Sequence, residues 1–282
     1  MTAKKTKKEP ERATPVRVLV IAGSDCSGGA GIQADIKTVM ALGGYAMTAI
    51  TALTAQNTRG IQGISEVDPF FVEQQVQSVL DDIGADVIKI GMLASSQTAE
   101  LVARQLESRA RGVPVVLDPV LASTSGAALY PAKGLKTLVQ RLLPQAALIT
   151  PNIDEAQALT GITVSDLQGM QNAADRLLLM GASAVLIKGS HLEGDTIVDL
   201  LRTADGLERR FEGPRIVSRS THGTGCTLAA AIATYLGHGF TLESAVAQAH
   251  DYVVEAIRGA VPLGTGHGPL DHAWPGYHNA EN

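Results

Sequence analysis

The sequence predicts an α/β fold in which a mainly parallel sheet is covered by helices on both faces. Short apolar segments rich in β-branched residues alternate with segments of helical spacing over most of the 282 residues. The first apolar segment, at 16–22, runs into a glycine-rich loop and a helical segment, which is the opening of a βαβ unit. No repeat, low-complexity linker or break in composition divides the chain, so we expect one domain over 16–282.

The individual elements follow from the periodicity of apolar residues. Strands are predicted at 16–22, 48–55, 61–67, 86–91, 113–119, 147–150 and 184–188, with two more near Ile197 and Phe211 that resemble a hairpin. Helices are predicted at 32–42, 70–83, 97–111, 134–143, 152–159, 166–180 and 242–258, and directly after Cys226. Pro69 supports the start of the helix at 70–83, because proline fits the first helical position.

Composition argues against several classes of protein. The net charge of −5 gives no general attraction to nucleic acid or to an anionic membrane, so neither is an expected partner. No apolar run has the length of a membrane span, and the apolar segment at 16–22 is too short for a signal peptide. The lysine-rich residues 1–15 are expected to form a disordered tail. Cys26 and Cys226 are too few for a disulfide scaffold or a zinc site, which favours the cytoplasm.

A glycine loop before an alanine-rich helix suggests an anion site. The loop reads His222-Gly223-Thr224-Gly225-Cys226. Small residues let backbone N–H groups approach a phosphate, and the N-terminus of the helix adds a positive dipole end. Cys226 is expected in the first helical turn, where the pKa of a thiol falls. At this point a plain tight turn explains the two glycines equally well.

Polar residues follow several predicted strands, where ligands gather in parallel sheets. Lys188 can supply a positive charge to a phosphate. Asn152 and Glu155 are three residues apart at a helix start and can share Mg²⁺, although from spacing alone a helix cap explains them better. The chain lacks both Gly-x-x-x-x-Gly-Lys-Ser/Thr and Gly-x-Gly-x-x-Gly, so phosphoryl transfer would need a different fold from a P-loop enzyme. Three further polar residues, Asp25, Gln56 and Asp118, also lie at or just after the ends of predicted strands.

Seven motifs in order resemble one kinase family. They lie at 22–35, 51–58, 89–93, 117–120, 150–155, 188–189 and 222–226. Over 16–270 the chain resembles the hydroxymethylpyrimidine/phosphomethylpyrimidine kinases of thiamine biosynthesis, within the ribokinase-like superfamily. The resemblance implies a ribokinase-like fold and a homodimer. It also implies two successive phosphorylations that use ATP and Mg²⁺, and it leaves open a monovalent cation.

The resemblance also implies roles for particular residues. Gln56 would bind the pyrimidine, since a carboxamide offers a donor and an acceptor to an aminopyrimidine edge. The pocket around it would be lined by Gly23, Asp35, Met92 and Val120. The positions that match catalytic ones are Gly223, Gly225, Cys226 and Lys188. ATP would be bound by Lys188, Asn152, Thr224 and Gly225, and the metal by Glu155 and Asn152.

Two features of the motifs bear on the choice of substrate. Many ribokinase-like sugar kinases have an aspartate where Cys226 stands, so the cysteine indicates the pyrimidine and pyridoxine branch. Residues 123–126 lack the lysine that some relatives carry there, which predicts that the contact of a lid with phosphate is either weaker or supplied by another residue. Two alternatives remain: a pyridoxine or pyridoxal kinase, whose substrates are also flat aza-aromatic rings with a hydroxymethyl group, and a non-catalytic sensor of pyrimidine precursors.

Overall fold

One sheet forms the centre of the molecule in the computed structural model, which describes residues 14–123, 126–190 and 194–278. Within these residues nine strands pair in the order β3-β2-β1-β4-β5-β6-β7-β8-β9. The strands are β1 (Arg17–Asp25), β2 (Tyr45–Asn57), β3 (Gly60–Glu66), β4 (Val87–Ile90), β5 (Val115–Leu117), β6 (Leu148–Ile149), β7 (Ala184–Ile187), β8 (Thr196–Thr203) and β9 (Glu208–Pro214). Most of the predicted tail, residues 1–13, lies outside the described residues.

The sheet is parallel at its centre and antiparallel at its two edges. Strands β2, β1, β4, β5, β6 and β7 pair in parallel, whereas β3 pairs with β2, and β8 with β7 and β9, in antiparallel fashion. The chain passes from β1 to β2 on one side and later returns to place β4 on the other side of β1. Such a reversal opens a crevice beyond the carboxyl ends of the two strands, where α/β proteins bind ligands.

Helices cover both faces of this sheet, as the sequence predicts. Strand β1 is buried on both sides: Leu19 and Ile21 belong to one apolar cluster, and Val18 and Val20 to the other. The first cluster contains residues of α2 (Pro69–Asp82), α3 (Ser96–Arg109), α5 (Ile153–Thr160) and α6 (Leu167–Leu179). The second contains residues of α1 (Gly31–Ala41), α7 (Thr224–Gly237) and α8 (Leu242–Arg258).

Two helical segments differ from the prediction. The helix expected at 134–143 is broken into a 3₁₀ turn (Ala132–Gly134), α4 (Leu135–Thr137), a π-helical turn (Leu138–Leu142) and a second 3₁₀ turn (Leu143–Gln145). Pro144 has no N–H to continue an α-helical ladder, which accounts for the change at its end. A short helix that was not predicted, α9 (Trp274–His278), follows the last long one. No helix in the described part of the chain is both long and apolar enough to cross a membrane.

Candidate active site

The anion loop predicted from the sequence packs against the first glycine loop. Gly223 has φ 88°, and a Cβ at this position would collide with the carbonyl oxygen of Gly29. Only glycine therefore fits this turn. Helix α7 begins at Thr224, whose hydroxyl donates to the Thr221 carbonyl at 3.2 Å, and no side chain in the described part of the chain caps the helix. An uncapped helix start suits an anion.

Lys188 lies beside this loop and is paired with Asp118. Its Nζ is 2.9 Å from Asp118 Oδ1, which also accepts a hydrogen bond from the Thr150 hydroxyl at 3.0 Å. A Cβ on Gly225 would lie 3.3 Å from Lys188 Nζ, so the ammonium group lies next to the loop on the side that a larger residue would fill. Although burial opposes its ionisation, the charges of Lys188 and Lys89 hold the pKa of Asp118 below its ordinary value. The structure thus gathers Lys188 and Gly225 around Asp118, a residue at a strand end that had no predicted role.

Asn152 and Glu155 form the helix cap that their spacing suggests. The side chain of Asn152 accepts from the Glu155 N–H at 2.9 Å, and the Glu155 carboxylate accepts from the Asn152 N–H at 2.8 Å. Burial raises the pKa of Glu155 to about 7. The negative charge of Asp118 adds to this rise, and the positive charge of Lys188 opposes it. Among the described residues there is no group of three acidic, histidine or cysteine side chains that would hold a metal alone. Glu155 and Asp118 fit a Mg²⁺ ion that takes its other ligands from phosphates and water.

Cys226 is a partly buried thiol, and the expectation that its pKa falls is wrong. It lies in the first turn of α7, but burial raises the pKa of its thiol to about 11. The carboxylates of Asp35 and Asp118 add to this rise, while Lys89 and the Gly31 N–H oppose it. Desolvation is thus the largest influence on the pKa of this thiol. Near neutral pH, Cys226 is a thiol that can donate a hydrogen bond.

A buried ion pair that sequence reasoning missed lies close to Cys226. Lys89 Nζ is 2.9 Å from Asp35 Oδ2, and both side chains are fully buried. Burial raises the pKa of Asp35 to about 6, although the charge of Lys89 opposes the rise, and Asp35 Oδ1 has no hydrogen-bond partner among the described residues. A lysine within the otherwise apolar strand β4 was the signal in the sequence, because such a residue is rarely buried unpaired.

The predicted pyrimidine pocket lies at the ends of β1 and β4. A Cβ on Gly23 would be 2.9 Å from Met92 Sδ, so this glycine leaves room for the methionine. Met92 packs with Ala52, Ala94 and Val120 in a small apolar cluster. Ala94 has φ 63° between the Leu93 carbonyl and the Ser95 N–H, which are 2.7 Å apart, and so forms a strained turn beside Met92. Gln56 is the second-last residue of β2 and is partly buried.

The chain is similar along nearly its whole length to named pyrimidine kinases. Residues 25–271 match the family model described as phosphomethylpyrimidine kinase. The hydroxymethylpyrimidine/phosphomethylpyrimidine kinase of Streptomyces coelicolor is 48% identical over 262 residues, which cover 93% of this chain and 96% of that protein. The thiamine biosynthesis bifunctional protein ThiED of Geobacter sulfurreducens is 52% identical over 256 residues, which are 90% of this chain but 52% of that longer protein.

Solved structures agree with these similarities and support the ribokinase-like fold. The phosphomethylpyrimidine kinase of Clostridium difficile superposes with a TM-score of 0.76 at 37% identity, covering 86% of this chain and 99% of the other. The pyridoxal kinase of Staphylococcus aureus in complex with pyridoxal gives a TM-score of 0.85 at 31% identity, covering 93% and 94%. The family model spans the strand ends and both glycine loops described above. This chain belongs to the phosphomethylpyrimidine kinase family.

Proposed function

We propose that the protein phosphorylates the hydroxymethyl group of 4-amino-5-hydroxymethyl-2-methylpyrimidine with ATP and then extends the monophosphate to the pyrophosphate, in thiamine biosynthesis. The observation that carries the proposal is the position of Lys188. Its ammonium group pairs with Asp118 and lies next to the Gly225 loop, at the same end of the sheet as Gly23 and Met92. A phosphate site and a flat apolar pocket that share one crevice fit phosphoryl transfer to a small aromatic alcohol.

Different residues of this crevice would have different roles in the phosphoryl transfer. Lys188 and the first N–H groups of α7 would stabilise negative charge on the transferred phosphoryl group. Cys226, which stays protonated, would orient the phosphoryl group or the hydroxyl group by donating a hydrogen bond, and not act as a base. Gln56 would offer the pyrimidine its amide, against the apolar surface of Met92 and Val120. Asn152 and Thr224 would contact the phosphates of ATP.

Mg²⁺ would be held by Glu155 and Asp118, and bound there it would neutralise charge on the phosphates of ATP. The amide oxygen of Asn152 already accepts a hydrogen bond in the helix cap. We therefore assign Asn152 chiefly to the phosphates and to holding Glu155 in place. The carboxylate of Glu155 accepts one hydrogen bond from the Asn152 N–H, so it keeps acceptor capacity for a metal or its water ligands.

A pyridoxine or pyridoxal kinase is the second candidate. The similarity to the pyridoxal kinase of Staphylococcus aureus supports it, because that protein is structurally close over almost the whole of both chains. Both kinds of substrate are flat nitrogen heterocycles with a hydroxymethyl group. The two functions differ in one measurable step, since a pyrophosphate product requires a second transfer onto the first phosphate.

We also propose that the protein works as a homodimer in the cytoplasm. Strands β2 and β3 and the helix α2 that follows them carry four apolar side chains that are each more than two fifths exposed: Leu53, Ile64, Phe70 and Phe71. Exposed apolar area of this kind is typical of a contact surface between proteins. Both described cysteines are free thiols, which suits a reducing compartment. Light scattering coupled to gel filtration tests the dimer: a monomeric mass at micromolar concentration would contradict it.

An ADP-release assay with mass analysis of the products tests the function. The substrates are hydroxymethylpyrimidine, its monophosphate, pyridoxine, pyridoxal and hydroxyethylthiazole, each with ATP and Mg²⁺. Lys188→Met serves as the matched control for contaminating kinases. We expect both pyrimidine products, and their loss in the control. Failure of the wild type to form the pyrophosphate would overturn the proposal, and turnover of pyridoxal alone would replace it with the second candidate.

A further inference from the structure

Asp199 is a buried carboxylate that lies outside the contacts described so far. It is 5% exposed and stands in the middle of β8, with Val198 before it and Leu200 after it. An acidic side chain is rarely buried to this degree unless it has partners that stabilise it. The partners of its two oxygens therefore indicate what this carboxylate does.

One oxygen of Asp199 holds the backbone directly after Lys188. Asp199 Oδ1 accepts a buried hydrogen bond from the Gly189 N–H at 2.7 Å. The antiparallel ladder between β7 and β8 ends with the pair Ile187–Leu200, so beyond it a side chain supplies the acceptor that a backbone carbonyl supplies within the ladder. A buried N–H without an acceptor is unfavourable, and the bond to Asp199 therefore fixes the path of the chain at Gly189.

The other oxygen of Asp199 lies against helix α8. His250 Nε2 is 3.0 Å from Asp199 Oδ2, which is within ion-pair distance, although this nitrogen makes no hydrogen bond to any described residue. The imidazole ring of His250 in turn stacks on Phe211 of β9, with the ring centroids 5.3 Å apart and the planes at 15°. The carboxylate thus has a neighbour at each oxygen, which limits its rotation away from Gly189.

Lys188 is consequently held at three points. Its own N–H donates to the Pro151 carbonyl at 2.9 Å, and the N–H that follows it donates to Asp199. Its ammonium group is 2.9 Å from Asp118 Oδ1. A phosphate that binds the ammonium group competes with Asp118, whereas both backbone bonds can persist while the phosphate is bound. The two backbone bonds therefore determine the point from which the side chain of Lys188 extends.

We propose that Asp199 is a positioning residue that, by holding the Gly189 N–H, fixes the backbone from which Lys188 reaches the transferred phosphoryl group. The inference rests on the proposed function and deepens it, because it names a residue of β8 on which the geometry of the transfer depends. Loss of the hydrogen bond lowers kcat and leaves KM for the pyrimidine unchanged, since Lys188 lies beside the Gly225 loop. A purely structural role would lower stability and leave kcat unchanged.

The test compares Asp199→Ala and Asp199→Asn in the purified full-length protein. Alanine removes the acceptor, whereas asparagine keeps an oxygen that can accept from the Gly189 N–H and removes only the charge. A hydrogen bond to a charged group contributes a factor of about ten or more, and one between neutral groups contributes less. We therefore expect kcat with hydroxymethylpyrimidine to fall about tenfold or more in the alanine variant and about threefold in the asparagine variant, with KM for the pyrimidine within about twofold in both.

Asp86→Ala is the matched control. Asp86 also accepts a backbone N–H, from Arg17 at 2.8 Å, and also pairs with a basic side chain, the guanidinium group of the same arginine. This pair lies at the amino-terminal ends of β1 and β4, at the opposite end of the sheet from Lys188. The control should leave kcat within about twofold of the wild type, as expected for a pair at the surface. A folded Asp199→Ala enzyme whose kcat is equally unaffected would overturn the proposal.

A double variant keeps the test decisive if Asp199→Ala does not fold. Asp199→Asn is made both in the wild type and in Lys188→Met. Because Asp199 acts through Lys188, the asparagine should lower kcat about threefold in the wild type and have no further effect once the ammonium group is gone. Equal losses in the two backgrounds, or an unchanged kcat in the wild-type background, would overturn the proposal. A wild-type enzyme that does not phosphorylate the pyrimidine would instead overturn the proposed function, and the same variants would then be compared with pyridoxal as the substrate.

Discussion

Replacing Lys188 should separate its contribution to stability from its contribution to catalysis. Lys188→Met leaves Asp118, which is 2% exposed, without its closest positive partner. Removing one member of a buried pair costs about 3–5 kcal/mol of unfolding free energy. The hydrogen bond from Thr150 and the charge of Lys89 remain, so we expect the lower end, about 3 kcal/mol. The turnover number should fall about 100-fold or more, because a charge on the phosphoryl group is lost.

The double variant Lys188→Met/Asp118→Asn makes the separation measurable. An asparagine at 118 still accepts from the Thr150 hydroxyl and carries no charge, so about 2 kcal/mol of the lost stability should return. Activity should not return. Urea unfolding followed by circular dichroism gives the stabilities, and ADP release gives the rates. A double variant as unstable as the single one, or a Lys188→Met enzyme within about threefold of the wild type, would refute the reasoning.

Three further changes test individual side chains. Gln56→Leu should raise KM for the pyrimidine about tenfold and leave KM for ATP unchanged, since it removes one polar contact with the ring; an unchanged pyrimidine KM in steady-state assays would contradict its assignment. Cys226→Ser keeps a hydrogen-bond donor in place of a thiol whose pKa is about 11, so kcat should fall less than about tenfold. The plot of kcat against pH should show no new inflection between pH 6 and about 9. A loss of kcat above about 100-fold would argue that Cys226 acts as a thiolate. Glu155→Gln keeps the cap but removes a carboxyl whose folded pKa is raised from 4.5 to about 7. The ionised carboxyl of the wild type therefore destabilises the fold increasingly as pH rises from 4.5 to 7. In urea unfolding, the variant should be more stable than the wild type by roughly 1–3 kcal/mol at pH 8 and equally stable near pH 4.5. Unfolding free energies that change in parallel with pH for the two proteins would contradict this.

Much of the fold could be predicted because the central strands of the sheet are buried on both faces. Strand β1 has apolar residues at successive positions, and both sets of side chains are covered, which leaves a signal that no surface strand has. Helix α8 was predicted at the bounds observed, Leu242–Arg258, because its apolar residues recur at helical spacing between clear ends. The broken segment at 132–145 escaped prediction, since its apolar periodicity is helical while Pro144 changes its hydrogen bonding.

The site was less predictable, because its chemistry depends on which side chains meet. Motifs marked Lys188 and the glycine loop, but nothing local indicates that Asp118 would be the partner of Lys188, 70 positions away. The pKa of Cys226 was predicted in the wrong direction, since the helix start is visible in sequence and the burial of the thiol is not. The roles of Asp35, Val120 and the other predicted ligands of substrate and ATP stay predictions that substitution must test.

The second phosphoryl transfer is the most direct test of the function. The measurement is kcat/KM for the monophosphate of hydroxymethylpyrimidine, with ATP and Mg²⁺, beside kcat/KM for pyridoxal under the same conditions. The arrangement of Lys188, the Gly225 loop and the Gln56 pocket predicts conversion of the monophosphate to the pyrophosphate, at an efficiency above that for pyridoxal. An enzyme that phosphorylates pyridoxal and forms no pyrimidine pyrophosphate would contradict it.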